Sequence, residues 1–309
     1  MHYFVTGASG WIGSAVLPEL IDHGHRVVGL ARSDGSADTI TALGGEVVRG
    51  TLDDLDVLAD AAGASDGVIH LAFKHDIAFS GDFEAAAVAD RAAVDAVADA
   101  LAGTDKPFVL ASGLLGLAPG RVATEEDGHD QGDGSATHPG PSMRMATAEH
   151  VRMLAARGIR TSVLRLPPTV HGDGDEGFMT MIVNMCRTAG TAGYTGDGSH
   201  RWPAVHRSDA ARLFRLAAER APAGSTLHAV GDEGVSGRAI AEVIGRHLDL
   251  PVQALSPEEA DATFNFLAML LAIDSPASAA ITRRLLGWEP TGSGLIEDLE
   301  QGHYFRDPA

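Results

Sequence analysis

The chain has 309 residues, 45% of them hydrophobic and only 5% aromatic, and carries a formal charge of −19. That length buries a large core in one domain or two intimately joined ones, filled mostly by Ala, Val and Leu. So strong a negative charge repels phosphate backbones and anionic lipid surfaces, and no basic patch offsets it, so the expected partners are neither nucleic acid nor membrane.

The chain opens on HYFVT, a strand pattern with no basic stretch and apolar run ahead of it, and no window has the length of an uncharged membrane span. A cytoplasmic protein is expected. Cys186 is the only cysteine, which leaves no internal disulfide and reads as a small buried hydrophobe. Short β-rich apolar runs at 2–6, 26–30, 46–49, 67–71, 107–111 and 161–166 alternate with Ala-rich helical patterns, notably at 12–23, 83–101 and 146–157. This is the signature of an α/β protein, a Rossmann doubly wound parallel sheet covered on both faces. Pro18 falls inside the first helix and should kink it, and Gly24 ends it. Asp53, Asp54 and Asp56 read as a solvated helix face. From Pro119 to Pro141 the chain is rich in Gly, Asp, His and Pro, which predicts a long surface loop. Beyond Pro167 the pattern is less regular, with helices expected at 178–188 and 208–221. A division follows. Residues 1–166 form a dinucleotide-binding domain whose sheet is completed by later segments near 204–230, and 167–309 form a smaller, mainly substrate-binding portion.

A glycine-rich turn between a strand and a helix lets backbone approach a pyrophosphate, and the helix N-terminus offers unpaired N–H groups. TGASGWIG, from Thr6 to Gly13, has that placement, with Gly7, Gly10 and Gly13 shaping the turn and Ser9, Trp11 and Ile12 beside the cofactor. At the end of the second strand an acid would receive the ribose 2′-hydroxyl of NAD, whereas a cation suits the 2′-phosphate of NADP. The sequence there is GLARSD. Ala31 stands in the acid's place and Arg32 and Ser33 follow, so NADPH is expected rather than NADH.

With these motifs in hand the chain resembles, nearly end to end, the extended short-chain dehydrogenase/reductases of the NAD-dependent epimerase/dehydratase group. TGASGWIG is similar to their TGxxGxxG. VIHLAF (68–73) resembles the strand beneath the cofactor, which implies contacts from Leu71, Ala72, Phe73 and Lys74, with Leu52 in the adenine region. Thr51 stands where relatives often carry Asp. VLASGLLG (109–116) resembles the strand bearing the catalytic hydroxyl, which implies Ser112, also beside the cofactor, with Gly113 facing substrate. RLPPTVHG (165–172) resembles the segment that meets the nicotinamide, implying Pro167, Pro168 and Val170. GDGSHRWPAVHRSD (196–209) resembles the substrate-side stretch, implying Arg201, Trp202 and His206, and LLGWEP completes the match.

One departure concerns the Tyr-x-x-x-Lys pair, whose tyrosine passes a proton to the substrate oxygen in that family. Aligning Glu149 with the glutamate that follows the pair places Pro141 and Met145 at the two positions. The tyrosines are Tyr3, Tyr194 and Tyr304 and the lysines Lys74 and Lys106, so no shifted copy exists. The alkoxide must then be stabilised by Ser112, by a histidine such as His171, by water, or by the substrate itself. His75 and Asp76 follow the fourth strand and are expected to contact substrate, as is Met179, with Met181, Met185 and Trp202 as further pocket hydrophobes. Asp209 is expected to cap the helix after it. No metal site is expected: HGDGDEG (171–177) lacks the calcium ligand series, and there is no HExxH.

The resulting expectation is an NADPH-dependent ketoreductase acting on a small-molecule carbonyl. A resemblance to atypical ketoreductases of angucyclinone-type antibiotic biosynthesis implies a quinone-like or hydroxylated aromatic polyketide. A nucleotide-sugar epimerase or dehydratase and a non-catalytic NADP(H)-sensing protein are the alternatives. Ala-rich faces at 83–101 and 146–157 would permit a homodimer.

Overall fold

A computed structural model describes residues 1–129 and 141–306. Strand and helix alternate from the start: β1 (His2–Thr6), α1 (Gly13–Asp22), β2 (Arg26–Ala31), α2 (Asp34–Ala42), β3 (Glu46–Arg49), α3 (Leu55–Ala64), β4 (Gly67–His70), α4 (His75–Phe79), α5 (Phe83–Leu101), β5 (Pro107–Gly113), α6 (Pro141–Met153) and β6 (Arg160–Leu166). There follow β7 (Thr169–His171), α7 (Phe178–Ala189), β8 (Ala192–Thr195), β9 (Arg201–His206), α8 (Arg207–Arg220), β10 (Ser225–His228), β11 (Asp232–Ser236), α9 (Gly237–Leu248), β12 (Val252–Leu255), α10 (Pro257–Phe264), α11 (Phe266–Leu271), α12 (Ala280–Leu286) and α13 (Leu295–Glu300).

Seven strands form one parallel sheet in the order β10-β6-β5-β4-β1-β2-β3. Because side chains alternate across a strand, each strand feeds two cores. Tyr3, Val5, Ile69, Val109, Ala111 and Leu164 pack with α1 and α8 through Leu17 and Phe214. Phe4, Val68, Phe108, Leu110 and Val163 pack on the other face with α3, α5 and α6 through Leu58, Val97 and Val151. The winding direction reverses between β1 and β4, and ligands of open α/β sheets bind beyond the carboxyl ends of such strands.

The smaller portion has its own core, in which Met179, Ile182, Val183, Trp202, Ile244 and Phe264 meet. It holds a three-stranded sheet, β11-β9-β7, and a β12-β8 pair. Cys186 is buried here, and burial pushes its thiol up to about 11. Among the described residues no helix is long and apolar enough to cross a membrane.

Several boundaries differ from the sequence reading. β5 extends to Gly113, so Ser112 and Gly113 pair with Arg165 and Leu166 inside the ladder rather than following it. α6 begins at Pro141, where a missing N–H costs a helix nothing, and a 3₁₀ turn, Leu154–Arg157, continues it. Of the expected 119–141 loop, residues 130–140 lie outside the described residues. Its first part is no plain surface loop. Ala123 bridges to Ala277, and the Glu125 carboxylate, 3% exposed, accepts from the Thr282 N–H and hydroxyl at 2.6 and 2.7 Å.

Candidate active site

The turn after β1 is built by backbone. Gly10 N–H donates to Gly7 O at 3.0 Å and Ser14 N–H to Gly10 O at 2.9 Å, which winds the chain into α1. Gly7 has φ +68°, and a Cβ there would lie 2.8 Å from Ala72 N. A Cβ on Gly13 would lie 2.1 Å from Gly7 O, whereas one on the exposed Gly10 would meet only Gly7 O at 3.3 Å. The turn is thus closed inward and open outward, as a backbone cradle for a pyrophosphate must be. Ser9, Trp11 and Ile12 are partly exposed on it. Trp11 Nε1–H donates to Val170 O at 2.8 Å, which joins the turn to the 167–170 segment, where Pro167 is buried and Pro168 partly so. On its other side Trp11 carries the Arg207 guanidinium 4.0 Å from the ring centroid, and Arg207 and His206 line a cavity of about 230 Å³ with Ser14 and Gly172.

At the end of β2, Ala31 is buried and Arg32 projects, its side chain 71% exposed, with the exposed Asp76 3.3 Å away. Ser33 caps α2 by accepting from Ser36 N–H at 3.2 Å. Lys74 Nζ donates to both carboxylate oxygens of Asp53, at 2.6 and 2.7 Å, and Asp54 accepts from Thr51, so this acidic run is partly engaged rather than only solvated. Leu52 is buried beneath that turn.

A polar relay that the sequence reading missed runs under the cleft. Thr6 Oγ1 accepts from Ala72 N–H at 3.2 Å and lies 3.0 Å from His70 Nδ1, while His70 Nε2 lies 3.2 Å from Asp90 Oδ1. The Asp90 carboxylate can only accept, so His70 Nε2–H donates to it, and in that tautomer Nδ1 accepts from the Thr6 hydroxyl. All three side chains are buried. The relay fixes the β1 and β4 ends from which Gly7, Leu71 and Ala72 emerge.

Ser112 lies at the β5 end of the cleft and is 5% exposed, and the open space beside Gly113 would admit a Cβ freely. Strand alternation sends Ser112 to the α6 face, the face of Leu110. From α6 comes a second group absent from the sequence reading: the Arg144 guanidinium sits 4.1 Å from the Phe73 ring centroid, and its Nη2 lies 3.5 Å from Ala111 O. Phe73 also meets His75 edge-on, with centroids 5.1 Å apart. Burial and the Arg144 charge hold His75 below the usual histidine pKa. Met145 is partly buried one residue along α6. The tyrosines are engaged elsewhere. Tyr3 donates to Met1 Sδ, Tyr194 accepts from Arg238, and Tyr304 donates to Asp175 Oδ2 at 3.0 Å, where burial and Asp175 push its pKa up. Lys106 donates to Gly63 O.

Four residues expected at the reacting and substrate end are enclosed or engaged instead. His171 is 0% exposed, its Nδ1–H donating to Asp298 Oδ2 at 2.9 Å, with its Nε2 buried and unpartnered among the described residues. Fully enclosed and held by Asp298 of α13, it does not face an open cleft. Met179 is fully buried, facing inward from α7, and Trp202 packs 6.2 Å from Phe178. Arg201 makes a two-pronged pair with Asp274, at 3.1 and 2.9 Å. Asp209 does not cap α8; it accepts from Thr291 and Gly292 N–H, and the cap is the His206 ring, accepting from Ser208 N–H. Among the described residues no three His, Cys, Asp or Glu side chains gather as a metal would need.

Residues 3–230 match the model of the NAD dependent epimerase/dehydratase family. An uncharacterized protein of Schizosaccharomyces pombe is 42% identical over 307 residues, 99% of this chain and 100% of that one. A 4-hydroxy-2-methyl-3-oxo-4-farnesyl-3,4-dihydroquinoline-1-oxide ketoreductase of Stigmatella aurantiaca is 28% identical, over 72% of this chain and 66% of its own. Among solved structures, UDP-glucose 4-epimerase of Thermotoga maritima superposes with a TM-score of 0.75 at 19% identity, over 99% of this chain and 98% of that one, a likeness of fold.

Proposed function

The chain belongs to the NAD dependent epimerase/dehydratase family, and from that premise we propose that it is an NADPH-dependent ketoreductase of a small-molecule carbonyl that works without a tyrosine–lysine pair. The observation that carries the reading is the β5 and α6 end, where the Arg144 guanidinium lies against Phe73 and near Ala111 O, next in sequence to Ser112; with it goes the sequence alignment that assigns Pro141 and Met145 to the positions of the pair. A 4-epimerase must return the sugar through a reversible proton transfer at oxygen, for which a tuned tyrosine is suited and a guanidinium is not. The related ketoreductase of Stigmatella aurantiaca supports reduction of a ring ketone, and our reading extends this to a quinone or a hydroxylated aromatic polyketide.

The residues present fit the cofactor. The outward-open turn from Gly7 to Gly13 would hold the pyrophosphate, Arg32 and Ser33 the 2′-phosphate, Leu52 the adenine, Leu71 to Lys74 the ribose side, and Pro167 to Val170 the nicotinamide amide. NADPH supplies a hydride for the carbonyl carbon. The protein excludes water through the buried Pro167 and Leu52, orients the ketone against Phe73, and receives negative charge near Ser112. Following the loss of reduced-nicotinamide absorbance with NADPH and with NADH across hydroxynaphthoquinones and 1,3-diketones tests this. Turnover with NADPH is the expected result; interconversion of UDP-glucose and UDP-galactose without it would overturn the reading in favour of sugar chemistry.

A further inference from the structure

The two other arginines with least exposure have short polar contacts within the chain. Arg165 donates to Asp127 O at 2.7 Å, and Arg215 reaches Glu19 and Glu219 at 2.7 and 2.9 Å. Arg144 is different. Among the described residues it forms no ion pair, and its one polar contact is Ala111 O at 3.5 Å, at the limit of a hydrogen bond. Its nearest support is the face of Phe73. Arg144 is partly buried, and desolvation pulls its pKa down more than the field of Asp90 raises it, so the charge has lost water without gaining an ion pair among the described residues. A guanidinium carries five donors and stays protonated, and leaving such a charge dry and unpaired is costly. Such an arrangement is stable at a functional site when an anion from outside the chain completes it.

We propose that Arg144 is an anion-binding residue of the substrate pocket, and that the ligand it selects is a planar enolate or phenolate seated between the guanidinium and the Ser112–Gly113 edge of β5. This deepens the ketoreductase reading and rests on it for the identity of the pocket. Three features define the ligand. The Phe73 ring, 4.1 Å from the guanidinium, is a flat apolar neighbour that suits a conjugated ring better than a tetrahedral phosphate, and no atom lies within 4 Å of a Cβ built on Gly113, which leaves room at that end of β5. Ser112 offers a hydroxyl on the same face of the sheet, so an oxygen can take one donor from each side. Among the described residues the charged group acting on Arg144 is Asp90, and no second cation joins it, so the site suits one delocalised negative charge better than a diphosphate. Arg144 is thereby a positioning and charge-stabilising group, not a proton donor.

The test is a binding measurement on the full chain, with and without NADP⁺, using 2-hydroxy-1,4-naphthoquinone, an anion at neutral pH, and the neutral 1,4-naphthoquinone as probes. The wild type should prefer the anion by about tenfold or more, the worth of a charge-assisted hydrogen bond. Arg144→Met should abolish that preference while NADPH affinity changes less than about twofold, and Arg144→Lys should restore part of it. Ser112→Ala gives a second reading that does not disturb α6 and should weaken the anion by about three- to tenfold. Equal binding of the two probes by the wild type, or an unchanged preference in Arg144→Met, overturns the proposal. Because the titration without cofactor stands by itself, a wild type that fails to bind NADPH overturns the ketoreductase reading and still leaves Arg144 decided by its anion preference.

Discussion

At the β1 to α1 end of the cleft the backbone makes the site: three glycines, two main-chain hydrogen bonds and a helix N-terminus shape it, and the side chains merely stay out of the way. At the β5 to α6 end and beyond, side chains make it, through pairs that join residues far apart in the chain, such as His171 with Asp298 and Arg201 with Asp274. A backbone site tolerates no added atom but many exchanged side chains. A side-chain site behaves in the opposite way, which is how one fold can keep a cofactor and change its substrate.

That contrast can be broken in several places. The largest effect is expected from Gly13→Ala, whose methyl would sit 2.1 Å from Gly7 O and must open the turn. A loss of about 100-fold or more in NADPH affinity should follow, the worth of an overpacking strain of about 3 kcal/mol; tryptophan fluorescence quenching measures it, with circular dichroism to show that the sheet survives. In the other region, Asp298→Ala should leave His171 without its acceptor and lower the urea-unfolding free energy by about 1–3 kcal/mol, with NADPH binding nearly unchanged. Equal losses of cofactor affinity in both variants would erase the distinction between the two ends. Arg32→Ala sharpens the cofactor side: NADPH should bind about 10- to 100-fold more weakly while NADH is unaffected, since only a 2′-phosphate uses that guanidinium.

A pH dependence tests the join between the regions. Burial and the Arg165 charge hold His228, on β10, down at about 3. Its unfolded value is about 6.5, so between these two values the unfolded chain binds one more proton than the folded one. Stability is therefore full above the upper value and falls with pH below it, by about 1.4 kcal/mol per pH unit in mid-window. Urea midpoints from pH 7 to 4.5 should show this slope in the wild type and a shallower one in His228→Gln. The smallest effect is expected from Arg201→Ala, below about 1 kcal/mol in stability because its pair with Asp274 is partly exposed.

The regular half of the molecule was legible because its signals are local. Strand periodicity located β1 to β6 within a residue or two, and the spacing of Gly7, Gly10 and Gly13 located the turn. Asp90 was legible in principle, since it stands alone as an acid in the inward stripe Ala86, Ala87, Ala93, Val94 and Val97 of α5. Arg144 was not, because its direction depends on where α6 starts, and the periodic signal began only at Ala146. Nor could His171 be read as enclosed, because the carboxylate that holds it lies 127 residues further on.

The edge strand β10 carries one more consequence. The chain leaves the sheet after β6, builds β7 to β9 on the way out, and only then returns to lay Ser225–His228 against β6. No single cut divides the molecule into two self-sufficient pieces, since any break between them strips the sheet of an edge. The C-terminal portion is therefore not an exchangeable cassette. Lineages of this architecture must revise it in place, one side chain or loop at a time, and grafts meant to redirect it should carry β10 and α8 along with the transplanted loops.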